Sequence, residues 1–177
     1  MPEPRDPEIQ ALLDKQAIHD VLVSYCRGAD RADVELIASA YHPDAIEDHG
    51  GTYKGPAKDY VAQMAAVLPG ARFMSHSTTN ILIELAGDMA HVESHILTFS
   101  RMRKDGEKFE TLTLARAIDR FEKRGGAWKI AHRRLVWEWN TELPFAETWG
   151  RGLIAPDASV LVRGAKKPAD VVYQGRD

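Results

Sequence analysis

From Ile9 onward, apolar side chains return every three or four positions: Ile9, Leu12, Leu13, Ile18, Val21, Leu22 and Tyr25. That spacing winds a single apolar stripe along an α-helix, and predicts one from Glu8 that stops near Gly28. Asp33 offers a side-chain acceptor for the free N–H groups of a second helix through Leu36, Ile37 and Tyr41, closed by His42-Pro43. Asp44 to His49 reads as a short extended piece broken at Gly50-Gly51. Pro56 then opens a third helix through Tyr60, Met64 and Val67, which ends at Pro69-Gly70.

Beyond Pro69 the texture changes. Residues 72–86, 89–103, 108–122 and 127–140 are rich in β-branched and aromatic side chains, and Ala86-Gly87-Asp88, Lys104-Asp105-Gly106 and Arg124-Gly125-Gly126 separate them as turns. Long strands joined by short turns make an antiparallel meander. Three helices followed by that meander predict an α+β fold, with the helices packed on one face of a curved, mostly antiparallel sheet. The expected organisation is a loose arm over residues 1–8, a pocket domain over 9–141 and an extended tail over 142–177. That tail carries Trp149 and wraps the domain or a neighbouring subunit. Alternation along the last strand places Trp137 and Trp139 on one face, and Trp128, Ile130 and Val136 on the other. One helical layer cannot cover both faces, which predicts a homo-oligomer, a dimer first and a trimer second.

The chain of 177 residues is long enough for one core with an enclosed pocket. Its formal net charge of −3 gives no electrostatic reason to expect nucleic acid, and the basic clusters Arg101-Met102-Arg103-Lys104 and His132-Arg133-Arg134 read as solvated strand faces or edge guards. The one cysteine, Cys26, excludes an intrachain disulfide and any multi-cysteine metal site, and reads as a small buried hydrophobe. No apolar run reaches membrane-spanning length and the proline-rich start has no leader-like stretch, so the cytoplasm is the expected location.

Several residues carry candidate chemistry. His91, Glu93 and His95 point the same way along a strand, about 6–7 Å apart. Two histidines and a carboxylate are a possible metal set, yet that reach is long for ligands on one straight strand. The expectation is therefore no metal, with His95 in the cavity and His91 near its rim. Arg116 and Arg134 lie in strands that otherwise alternate apolar residues. Such an arginine is either outward and paired, or inward, where it stabilises a developing oxyanion. In Asp48-His49 one side chain faces inward and the other outward, and His49 is the candidate substrate contact. Tyr53, Phe73 and Trp137 can wall an apolar cavity, although core packing alone accounts for many aromatics.

The order helix, helix, short strand, helix, four long strands is joined by local patterns. These are Tyr25-Cys26-Arg27-Gly28-Ala29-Asp30, Ala40-Tyr41-His42-Pro43-Asp44-Ala45, Asp48-His49-Gly50, Gly55-Pro56-Ala57, Ser75-His76 with Asn80, and Trp128 to Arg133 leading to Trp137-Glu138-Trp139. Over about residues 9–141 they resemble the SnoaL-like branch of the nuclear transport factor 2-like fold. That family holds polyketide cyclases, dehydratases, a dehydrochlorinase, steroid-isomerase relatives and a lignin-derived lyase. The resemblance implies a cone-shaped cavity, a small hydrophobic cyclic or aromatic substrate, and lyase, dehydratase or isomerase chemistry without metal or organic cofactor. It also implies a catalytic pair, Asp30 with His76, assisted by Tyr25. The pairing makes physical sense, because a carboxylate orients an imidazole and raises its basicity. The competing reading is a non-catalytic binding or assembly domain of the same fold, which has no need of an Asp–His pair.

Overall fold

The computed structural model describes residues 6–71, 73–104, 106–145 and 161–175. Helix α1 spans Pro7–Arg31. Its first turn is capped by the Asp6 side chain, which accepts from the backbone N–H of Glu8 at 2.8 Å, and Pro7 fills the first helical position, where no N–H is needed. The helix does not stop at Gly28. It runs to Arg31 and closes with Ala32 in the left-handed region, so Asp30 rides on its last turn. Gly28 marks a crossing instead: a Cβ there would lie 2.8 Å from Ile37 Cγ1 and 2.9 Å from the Ile37 backbone nitrogen.

Helix α2 (Val34–Ser39) is capped by Asp33, whose carboxylate accepts from Leu36 N. It ends before Tyr41, which opens strand β1 (Tyr41–Asp48) rather than closing the helix as expected. The residue before Pro43 is pushed out of the helical region, and the Ala40 carbonyl is already taken by Ile130 N–H at 2.9 Å. A short strand β2 (Lys54–Pro56), which the pattern did not announce, pairs back on β1, and α3 (Ala57–Val67) follows.

The four long strands are β3 (Phe73–Ala86), β4 (Met89–Lys104), β5 (Glu107–Arg124) and β6 (Ala127–Leu143). They form the expected meander. With the first two strands the sheet order is β2-β1-β6-β5-β4-β3, and β1 runs parallel to β6 while every other pair is antiparallel. The sheet is curved and does not close. Helix α1 packs along β3, and helices and sheet together form a cone. The core between them holds Ile18, Leu22, Ile37, Phe121, Trp128 and Ile130. No helix among the described residues is long and apolar enough to cross a membrane.

Directly paired residues share a face, so the register shows which side chains enter the cone. The rows Ala90–Phe121–Ile130, Val92–Asp119–Arg133 and Ser94–Ala117–Leu135 all point inward. Strand β6 carries an irregularity opposite Arg120 and Phe121, which reverses its alternation after Ile130. Arg133 therefore turns inward and is 1% exposed, while Arg134 turns out, and Val136 leaves the face of Ile130. The basic cluster His132-Arg133-Arg134, expected on a solvated strand face, is therefore split between the two faces. A second irregularity sets Trp137 opposite Ala115 but Trp139 opposite Leu114, so these tryptophans face opposite ways, contrary to expectation.

Residues 161–175 lie against the end of α1. The N–H of Lys167 donates to Arg31 O at 2.7 Å, Lys166 Nζ donates to Asp30 O at 2.8 Å, and Arg31 pairs with Asp170. Cations at the last carbonyls of a helix answer its unsatisfied acceptors. Trp149 and the stretch 146–160 lie outside the described residues.

The α1–α2 crossing yields a stability prediction. Replacing Gly28 by Ala improves helix propensity by up to about 1 kcal/mol, but overpacking costs about 1–3 kcal/mol, and here the obstacle includes backbone. Gly28→Ala should lower the thermal midpoint by several degrees in a circular-dichroism melt. An unchanged or raised midpoint would contradict the close crossing.

Candidate active site

Between the helices and the inner sheet face lies a cavity of about 240 Å³. Ile37, Met64, Leu68, Met74, Ile96 and Leu135 make its apolar walls, and Tyr25, His49, Tyr60, His76 and Arg133 are the polar groups of greatest chemical reach among its lining.

Asp30 on the last turn of α1 meets His76 on β3. His76 Nδ1 lies 2.6 Å from Asp30 Oδ1, and the His76 backbone N–H also donates to both carboxylate oxygens, at 3.0 and 3.1 Å. An ionised carboxylate only accepts, so the ring proton sits on Nδ1 and the lone pair on Nε2. Among the described residues Nε2 has no hydrogen-bond partner. His76 borders the cavity, whereas Asp30 stands behind it and faces a second recess of about 260 Å³ shared with Cys26, Arg27, Arg31 and Thr78. That is the arrangement of an oriented base.

Tyr25 is buried on α1. Its hydroxyl lies 3.4 Å from that of Tyr60 on α3, and the Arg133 guanidinium covers its ring at 4.4 Å. Burial pushes both phenols above their ordinary range, with the Glu47 charge adding to the rise at Tyr25 and the neighbouring Tyr25 adding to it at Tyr60. They stay neutral donors.

Arg133 is the residue that reading the sequence placed wrongly. Its Nε and Nη2 clamp Asp119 at 2.8 and 2.7 Å inside the protein. Burial opposes its charge, but Asp119 outweighs burial and holds the guanidinium well above its ordinary pKa. Its Nη1 has no partner among the described residues, and the group borders the cavity. A buried donor left unpaired is costly, and becomes useful when a substrate oxygen gains charge. The sequence held one signal for it: Asp119 falls in phase with inward Ala115, Ala117 and Phe121, and a carboxylate there demands a buried cation.

His49 follows β1 and borders the cavity as expected. Its Nδ1 lies 2.7 Å from Glu47 Oε1, its ring stacks on Tyr60 at 4.8 Å, and Trp137 meets it edge-on at 5.6 Å. Glu47, which the reading did not single out, is fully buried and also accepts from the Tyr41 hydroxyl at 2.7 Å. Asp48 turns outward to Lys54. Trp137 borders the cavity and donates its Nε1–H to Gly50 O at 3.0 Å.

Four expected contacts lie elsewhere. His95 and Arg116 pair across the outer face, because Ser94, Ile96, Ala115 and Ala117 occupy the inward phase. There Arg116 binds Glu138 and Glu93, and His95 meets Asn80. Phe73 is opposite Arg101 on that same face and packs on Phe99 at 5.9 Å. Tyr53 packs behind Tyr60 and donates its hydroxyl to Pro56 O, outside the cavity lining. Among the described residues no three His, Cys, Asp or Glu side chains gather closely enough to hold a metal ion.

A helical cap over a curved sheet, with ionisable groups converging inside, defines a pocket protein of the nuclear transport factor 2-like fold. The chain belongs to the SnoaL-like domain family, whose profile matches residues 10–134. Among solved structures it is similar to a hexachlorocyclohexane dehydrochlorinase, LinA type 2, at 21% identity and a TM-score of 0.72 over 82% of this chain and 99% of that one. The type 3 enzyme from Novosphingobium barchaimii shares 23% identity with a TM-score of 0.68, over 80% and 97%. A protein provisionally described as a scytalone dehydratase from Novosphingobium aromaticivorans shares 22% with a TM-score of 0.66, over 77% and 91%. No curated protein matches the chain. At these identities the structural likeness establishes the fold.

The Asp119–Arg133 pair makes a second stability prediction. Removing one partner of a buried pair strands the other, at about 3–5 kcal/mol, while replacing both by apolar groups is far milder. Arg133→Met should lose about that much in urea denaturation, and Arg133→Met combined with Asp119→Leu should recover more than half. Equal losses in the single and double variants would contradict the pairing.

Proposed function

We propose that the chain is a lyase or isomerase that acts on a small hydrophobic cyclic or aromatic substrate by acid–base chemistry, without metal or organic cofactor. The observation that carries this reading is the Asp30–His76 pair, bonded at 2.6 Å with the imidazole on the cavity side and the carboxylate behind it. Family membership supports it, as do structural relatives named as a dehydrochlorinase and a dehydratase. A cavity of about 240 Å³ is below the roughly 300–1,000 Å³ of drug-sized sites, which suits one or two rings.

In this mechanism His76 Nε2 takes a proton from a substrate carbon. Asp30, a positioning residue, stabilises the imidazolium that results. The electron pair left behind delocalises onto a substrate oxygen, which meets the free Nη1–H of Arg133 and the hydroxyl of Tyr25. Apolar walls keep water out and strengthen both contacts. Collapse of the charge then expels a group from the neighbouring carbon, or returns the proton elsewhere on the ring.

His76→Ala should lower turnover about 10²–10⁴-fold, the usual worth of a general base. Asp30→Asn should also fall steeply, because an amide turned to donate toward Nδ1 inverts the tautomer. Activity should survive exhaustive chelation. Steady-state assays on a panel of cyclic carbon acids decide it, and activity lost to chelation but retained by His76→Ala would overturn the reading.

The outer sheet face exposes Leu82, Leu97, Ile118 and Trp139 together. We propose that a second copy covers it, giving a homo-oligomer, a dimer before a trimer. Sedimentation at micromolar concentration should give a multiple of 19.8 kDa, and the monomer mass alone would refute the assembly.

A further inference from the structure

The proposed base accounts for one wall of the cavity and leaves another carboxylate–imidazole pair unused. Strands β1 and β3 stand at opposite sides of the sheet with β6, β5 and β4 between them, so His49 at the end of β1 and His76 on β3 approach the cavity from opposite sides. Glu47 orients His49 as Asp30 orients His76: Nδ1 lies 2.7 Å from a carboxylate oxygen, and the second oxygen is fixed by the Tyr41 hydroxyl. Neither Glu47 nor Tyr41 borders the cavity, whereas His49 does.

The surroundings of the two pairs differ in sign. Register places Asp119, Arg133 and Glu47 in one row across β5, β6 and β1. Both donors of Arg133 that are engaged go to Asp119, so the buried row holds two carboxylates against one guanidinium. His49 Nδ1 stands 2.7 Å from the carboxylate of that row which Arg133 does not bind. Around Asp30 cations are in excess: Arg27 and Arg31 share its recess and Lys166 Nζ sits on its carbonyl, against the carboxylates of Asp30 itself and of Asp170, which pairs with Arg31. Two carboxylate–imidazole pairs that reach one cavity from opposite sides can divide the work of a general acid and a general base. From His49 Nε2 a path also leads to the Tyr60 hydroxyl at 3.5 Å and on to Tyr25 at 3.4 Å, and all three residues border the cavity.

We propose that Glu47–His49 is the site's general acid, so that the leaving group is a hydroxyl on the ring carbon β to a carbonyl rather than a halide. A halide departs as a stable anion and needs no proton. A hydroxyl departs only if a proton reaches it, and a carboxylate-backed imidazole opposite the base supplies one. The balanced step runs as an elimination. The α C–H bond breaks and its proton goes to His76 Nε2, while its electron pair becomes the C=C bond. The C–O bond breaks onto oxygen, which takes the proton of His49 Nε2 and leaves as water. Solvent later removes the proton from His76 and restores that of His49.

This inference rests on the base assigned above, and three probes separate the two. Cyclohexanone in D2O reports α-deuterium uptake, which needs the base alone. 3-Chlorocyclohexanone and 3-hydroxycyclohexanone both give 2-cyclohexenone, followed by its absorbance, and only the second needs an acid. His49→Gln should slow loss of the hydroxyl about 10²-fold or more relative to chloride loss and deuterium uptake measured with the same variant. Glu47→Gln should shift the same selectivity, and serves if His49→Gln melts early. His76→Gln should suppress all three. Absence of deuterium uptake with the wild type would sink the underlying base assignment. Uptake present, with hydroxyl and chloride loss slowed equally by His49→Gln, would overturn the acid alone.

Discussion

The interior of this protein is organised around one guanidinium taken out of water. Arg133 is 1% exposed, and moving such a charge into a low-dielectric interior costs several kcal/mol unless its partners are fixed in place. Asp119 meets that demand only while β5 and β6 hold their register, and the register holds Arg133 inward only because β6 departs from regular pairing just before it. An irregularity of this kind also bends its strand and increases the local twist. The ion pair, and with it the guanidinium that borders the cavity, thus depends on one local departure from regular pairing. Tyr25 covers the guanidinium from α1, so the helical cap is tied to that point as well.

The position of the proposed base has an equally local origin. Had α1 stopped at Gly28, Asp30 would have fallen in a loop and its carboxylate would have lacked a rigid support. Gly28 instead lets α2 cross closely, and the helix carries three further residues before Ala32 turns left-handed. Asp30 reaches His76 from a helix terminus, and the carboxylate bonds both the ring and the backbone of that residue. A side chain that fixes its partner at two places orients it more firmly than one bond can.

Helical stripes and strand texture were legible in the residues because both follow from local periodicity. Asp33 as a cap and Pro56 before α3 were legible for the same reason. What could not be read depends on partners distant in sequence. Whether Arg133 or Arg134 turns inward is decided by how β6 pairs with Arg120 and Phe121. Likewise His95 and Arg116 share the outer face because the inward phase of β4 and β5 is set by Ala117 and Phe121 packing under the helices. Tyr41 looked helical by spacing, yet the Ala40 carbonyl joins the sheet through Ile130. Asp30 with His76 came from resemblance and not from spacing, since 46 residues separate them. Glu47 was within reach of a simple argument, being two positions before His49 on an extended segment and so on its side.

The segment 161–175 grips the same helical turn that carries Asp30. Lys166 holds the carbonyl of Asp30 itself, Lys167 ties to Arg31, Asp33 and Glu35, and Asp170 holds Arg31. This part of the chain therefore works as a splint on the base's mounting, more than 130 positions away in sequence. Substitutions that look peripheral along the chain sit next to the chemistry in space. A fusion partner or label joined close to Lys166 would load the one turn whose angle sets where His76 points.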